Sequence, residues 1–172
     1  CCQYGTLIIA DEIHADIVFP EYTFTPMASI SESIANNTVT FIAPSKTFNI
    51  AGLSTSISII PNGHLRGSFK GLIDSIHLNH GNIFGNVALE AAYNHGEQWL
   101  DELIDYLNEN LHLIEEFMKE RIHYIHLVRP EGTFLAWLDC RELPIENKKI
   151  NRFMVEKAGI GLNEGATFGQ NG

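Results

Sequence analysis

Ala43-Pro44-Ser45-Lys46-Thr47-Phe48-Asn49-Ile50-Ala51-Gly52 is the stretch on which the reading of this chain turns. It follows the β-branched run Thr38-Val39-Thr40-Phe41-Ile42, which reads as a buried strand. Pro44 has no N–H to offer a sheet and ends that strand. Lys46 therefore lies just past a strand end, in a loop of small and hydroxyl side chains. An ammonium buried there would cost free energy, and burial favours the neutral amine, which condenses with aldehydes. A lysine exposed in a surface loop is the commoner case, and Lys46 alone does not decide between the two.

A second stretch adds weight. Leu7-Ile8-Ile9-Ala10-Asp11-Glu12-Ile13-His14 is another apolar strand, ending in acids and a histidine. Open α/β sheets bind ligands beyond the carboxyl ends of their strands, so an acid at one end and a lysine at another can face one crevice. Without further information Asp11 could equally cap the loop after its strand. Taken together, Asp11-Glu12-Ile13-His14-Ala15-Asp16-Ile17 and Ala43-Pro44-Ser45-Lys46-Thr47-Phe48-Asn49-Ile50-Ala51-Gly52-Leu53 carry a resemblance. The chain resembles the pyridoxal-phosphate C–S lyases of the cystathionine β-lyase (PatB/MalY) type, within the class I/II aminotransferase superfamily. The likeness continues through residues 79–96 and 130–143 to Gly165-Ala166-Thr167-Phe168-Gly169.

The resemblance implies an α/β chain of the fold type I pyridoxal-phosphate transferases. Residues 1–96 would be part of a large cofactor-binding domain with a mainly parallel sheet. A helix over 97–122 would bridge to part of a small α/β C-terminal domain at 123–172. Lys46 would hold pyridoxal 5'-phosphate and move the substrate's Cα proton, and Asp11 would pair with the pyridinium nitrogen. His14 stands where a tyrosine often contacts the cofactor's phenolic oxygen, although a histidine at a strand end is commonly only structural. Ser45 would donate to the phosphate. Eight residues after the lysine the wider superfamily carries a phosphate-clamping arginine; here that position is Ser54, which favours the lyase branch. Asn49 and Gly52 are read as shaping the loop, and Asn79 and Asn82 as approaching a partner subunit's site in a homodimer. The implied reaction is β-elimination of an L-cysteine conjugate, with aminotransfer to a 2-oxo acid as the alternative. Members of this family are about twice as long, so the chain is expected to be an internal fragment, stopping in a loop at Phe168-Gly169-Gln170-Asn171-Gly172. Such a fragment would lack most phosphate donors and the arginine that grips the substrate carboxylate, and by itself would bind the cofactor weakly and be inactive.

The rest of the chain is read from pattern. Ser29-Ile30-Ser31-Glu32 is a capping box for a short helix to about Ala35. Strands are expected at 54–60, 124–128, 134–139 and 160–162, and helices at 64–73, 84–94, 97–122 and 146–158. Leu100, Leu103, Ile104, Leu107, Leu111, Ile114 and Met118 recur at helical steps and read as a core-facing stripe. Phe134-Leu135-Ala136-Trp137-Leu138 is apolar on both faces and predicts a central strand. Arg129-Pro130-Glu131-Gly132 has turn composition.

With 21 acids against 11 bases, the net charge of −10 disfavours a nucleic-acid surface. No apolar run reaches the roughly 18 residues of a membrane helix, and a cytoplasmic protein is expected. Cys1, Cys2 and Cys140 form no paired framework, and His77 and His80 lack a third metal ligand. Residues 7–14 also resemble the magnesium-binding segment of an RNA helicase. That reading needs a Gly-rich phosphate loop, which these residues do not contain.

Overall fold

The computed structural model describes residues 1–169; the expected loop end at 170–172 lies outside them. Strand β1 (Ile8–Asp11) pairs in parallel with β2 (Thr38–Ile42), and β3 (Ile57–Ile59) pairs antiparallel with the other edge of β2. The order β1-β2-β3 puts the β-branched strand in the middle, where Thr38, Val39 and Thr40 are buried. A strand flanked on both sides has its backbone groups satisfied by neighbours, so it can be uniformly buried. Between β1 and β2 stands the short helix α1 (Glu32–Ala35). Its cap is Ser31, whose Oγ accepts from Ile34 N at 3.2 Å, and not Ser29, whose hydroxyl donates to the Pro26 carbonyl.

The lysine stretch is not an open loop. Pro44 opens a single helical turn, α2 (Pro44–Thr47), where its missing N–H costs nothing and its fixed φ suits the first position. Asn49 (φ 54°) and Ser54 (φ 49°) take the left-handed conformation after it; Gly52, expected to shape the loop, does not. Helices α3 (Gly63–Ser75) and α4 (Ile83–His95) are capped by Asn62 and Asn82. The Asn82 amide also donates to the Leu53 carbonyl at 3.1 Å, so its side chain is occupied within its own fold.

Two compact units emerge, one comprising residues 1–112 and 130–135, the other 113–129 and 136–172. Helix α5 (Glu97–Arg121) contributes to both. Every residue of its expected stripe is buried or half-buried, Leu111 fully, while Tyr106, Leu113 and Phe117, which lie outside the stripe, are exposed.

The second unit holds the antiparallel pair β4 (His126–Val128) and β5 (Trp137–Asp139), helix α6 (Asn147–Phe153) and a wider π turn at Met154–Ala158. Two expectations fail here. The 134–138 stretch is not a central strand: β5 has one neighbour, and Leu135 and Trp137 are 58% and 43% exposed. Among the described residues there is no second neighbour to cover its apolar side. The 160–162 segment is not a strand, since no partner offers it a ladder. No helix among the described residues is long and apolar enough to cross a membrane.

Candidate active site

Parallel pairing brings two strand ends to one edge of the sheet. Asp11, the last residue of β1, stands level with Phe41 of β2, and Glu12 N donates to the Phe41 carbonyl at 2.9 Å. One turn further along, α2 carries Lys46. Both side chains are exposed, and among the described residues neither forms an ion pair. Of the two alternatives the sequence left open for Lys46, buried or exposed, the structure shows the exposed one, on the solvent side of its turn. Asp11 Oδ1 accepts from Ile13 N at 3.3 Å, the local contact of an acid after a strand.

The lysine turn is anchored by its neighbours. Thr47 is fully buried, and its Oγ1 donates to Asp16 Oδ2 at 2.8 Å. The Tyr93 hydroxyl on α4 bonds to the same carboxylate; burial first, and then the Asp16 charge, push its pKa up. Phe48 lies against Tyr93 and Trp99, each at a centroid distance of 5.8 Å. A Cβ on Gly96 would come within 2.3 Å of the Phe48 ring, so a glycine is required there as well as a helix break. Asp16, Thr47 and Tyr93 were not legible as a set, because 31 residues separate the first two.

After β1 the chain curls through Ala15 N to the Glu12 carbonyl and Ile17 N to the His14 carbonyl. Ile17 and Phe19 are buried, and Val18 forms an antiparallel bridge with Gly132. The turn expected at 129–132 is therefore also a clamp: Phe19 N donates to the Glu131 carbonyl and Thr133 N to the Ile17 carbonyl, at 3.0 and 2.8 Å. A cavity of about 450 Å³ opens beside this clamp. Its walls include Asp11, His14, Tyr22, Phe24 and Thr133, while Ser45 and Lys46 are not among them. The structure thus gathers Asp11 and His14 around one space and places Ser45 and Lys46 on the adjacent turn. Ser45 is half-buried; its carbonyl accepts from Ile50 N. No cluster of metal-binding side chains occurs among the described residues, His77 and His80 included.

An acid closes one parallel strand and a lysine stands one turn past its neighbour, in an α/β chain whose solved neighbours are fold type I proteins. The chain belongs to the aminotransferase class I and II family, which it matches over residues 1–171. Cystathionine beta-lyase PatB of Bacillus subtilis is 36% identical over 172 residues, all of this chain and 44% of the relative. Protein MalY of Escherichia coli is 30% identical over 173 residues, with the same coverage of 100% and 44%. Cystalysin of Treponema denticola, whose crystal structure contains pyridoxal 5'-phosphate, superimposes with a TM-score of 0.88 at 37% identity, covering 96% of this chain and 42% of that one. The chain therefore spans less than half the length of these relatives. The match through residues 7–14 assigns that strand to this family and removes the helicase reading.

Proposed function

We propose that the protein serves a pyridoxal-phosphate-dependent C–S lyase, performing β-elimination on an L-cysteine conjugate such as cystathionine. The observation that carries this reading is the pair of unbalanced charges at adjacent parallel strand ends, Asp11 on β1 and Lys46 beyond β2. The donor set fits the cofactor. An amine is available for its aldehyde, a carboxylate for its ring nitrogen, an imidazole for its phenolic oxygen and the Ser45 hydroxyl for its phosphate. Bound pyridoxal phosphate would supply an electron-accepting ring, which makes the Cα–H bond of an attached amino acid acidic. Asp11 would hold the ring nitrogen protonated. Lys46 would hold the aldehyde carbon through Nζ at rest and, once displaced by the substrate amine, take the proton from Cα. Expulsion of thiolate from Cβ and addition of water turn cystathionine into a thiol, pyruvate and ammonia, which balances atoms and charge.

Three further features belong to this proposal: a small amino-acid substrate, a homodimer and a cytoplasmic setting. Aminotransfer to a 2-oxo acid uses the same lysine and acid, and the family's own description favours it as the second reading. Against it stands Ser54 at the position of the superfamily's arginine. The test supplies the full-length protein with pyridoxal phosphate and cystathionine and follows pyruvate and free thiol. Thiol and pyruvate released together, with no 2-oxo acid added and none released by Lys46→Ala, is the expected result. Turnover that requires a 2-oxo acid makes it an aminotransferase, and no conversion under either condition removes both readings.

A further inference from the structure

Thr133 is a β-branched residue held at φ 67°, in the left-handed region that such side chains rarely enter. Backbone strain of this kind persists only where surrounding contacts over-determine it, and it concentrates at functional sites. The contacts here are specific. Thr133 N donates to the Ile17 carbonyl at 2.8 Å, and the preceding Gly132 bridges Val18. A Cβ on Gly132 would come within 2.3 Å of the Ile17 carbonyl oxygen, so only glycine lets the two segments close this tightly. The next residue, Phe134, lays its ring against His14 at 5.1 Å between centroids. Within that frame the Thr133 hydroxyl stands 2.9 Å from His14 Nδ1, across 119 residues of sequence. His14 and Thr133 both line the cavity that Asp11 borders.

We infer that Thr133 is a positioning residue: its strained backbone holds a hydroxyl on His14 Nδ1, which sets the imidazole tautomer and leaves Nε2 for a group in the cavity. An imidazole with one nitrogen engaged has its rotation and its proton position decided by that bond. The Thr133 N–H is already given to Ile17, so the hydroxyl is the group that Thr133 presents to the ring. With the hydroxyl donating, Nδ1 is the acceptor and Nε2 carries the proton, the form that donates to an anionic oxygen. This extends the proposed function, in which such an oxygen belongs to the cofactor, but the state of the imidazole does not depend on a cofactor being bound.

The test uses the full-length protein: nitrogen-15 NMR of its histidines without cofactor, then pyridoxal phosphate binding, with Thr133→Val and Thr133→Ser. Valine keeps the β-branch and removes the hydroxyl; serine keeps the hydroxyl and removes the methyl. Wild-type protein should show one His14 tautomer, protonated at Nε2; the valine variant should show a mixture, and the serine variant should return the wild-type signal. Binding of pyridoxal phosphate should weaken about 2- to 12-fold in the valine variant, the range of one hydrogen bond. A mixed tautomer in the wild type overturns the inference even if the valine variant does not fold. So does a valine variant with the wild-type signal, or a serine variant that behaves like valine. If wild-type protein takes up no pyridoxal phosphate while the valine variant still scrambles the tautomer, the functional reading fails and the positioning role stands.

Discussion

Thr40 sits in the middle of β2, 4% exposed, and its Oγ1 finds no hydrogen-bond partner among the described residues. A buried hydroxyl without a partner loses its water and gains nothing for it. Thr40→Val keeps the shape and the β-branch and removes the orphan. We expect it to stabilise the protein by about 1 kcal/mol, read as a higher urea midpoint at unchanged slope; a lower midpoint would show that the hydroxyl is satisfied. The contrast with its neighbours is instructive. Thr38 Oγ1 donates to the Ile34 carbonyl at 2.7 Å and Thr47 Oγ1 to Asp16 at 2.8 Å. In the sequence all three are β-branched residues at or near one strand, and nothing distinguishes the hydroxyl that is used from the one that is not. Lys46 shows the same limit. Its type and place after a strand suggest an amine with chemistry to do, but its exposure depends on which surfaces surround the turn.

At the scale of elements, α4 is seated on the segment before β3 through one residue. Gly85 is buried, and a Cβ there would fall 1.8 Å from Thr55 Oγ1 and 2.9 Å from the Leu53 carbonyl oxygen. That carbonyl already accepts from the Thr55 hydroxyl and the Asn82 amide, so it cannot move without breaking the α4 cap contact. Gly85→Ala should therefore destabilise the protein by about 1–3 kcal/mol despite alanine's better helix propensity, measured by the same denaturation. A gain in stability would mean that α4 is free to shift. The helices themselves were well marked: apolar spacing gave α5, and Asn62, Asn82 and Gly96 punctuate α3 and α4. The short elements were not. Ser29 and Ser31 offer equivalent hydroxyls, and only the path of the chain after Pro26 selects Ser31 as the cap. Residues 160–162 have strand character and no partner, which is why pattern alone overstated them.

For the molecule as a whole, apolar surface is the dominant fact. Within the first unit, Leu72, Leu78, Ile83, Phe84 and Val87 are 59–77% exposed, on α3, α4 and the turn between them. Large clustered apolar side chains on a surface drive association. The 19.2 kDa chain is expected to show a mass in sedimentation that rises with concentration, and Phe84→Glu should reduce the rise. A mass of 19.2 kDa at every concentration would refute this. The error at 134–138 has its own cause: an apolar segment predicts burial, but burial needs a second surface, which β5 does not have among the described residues.

Sequence by itself determined the family and the α/β class, and it singled out Asp11 and Lys46 as the proposed chemical pair, because these rest on local patterns: an apolar run, a breaker, and a reactive side chain at a strand end. Only the tertiary structure decided that β3 runs antiparallel beside β2, that Thr47 and Tyr93 share Asp16, and that Thr133 meets His14. Those contacts join residues 31 and 119 positions apart. Their partners are chosen by the packing of whole segments, and a hydroxyl or a carboxylate carries no mark in the sequence of the group it will meet.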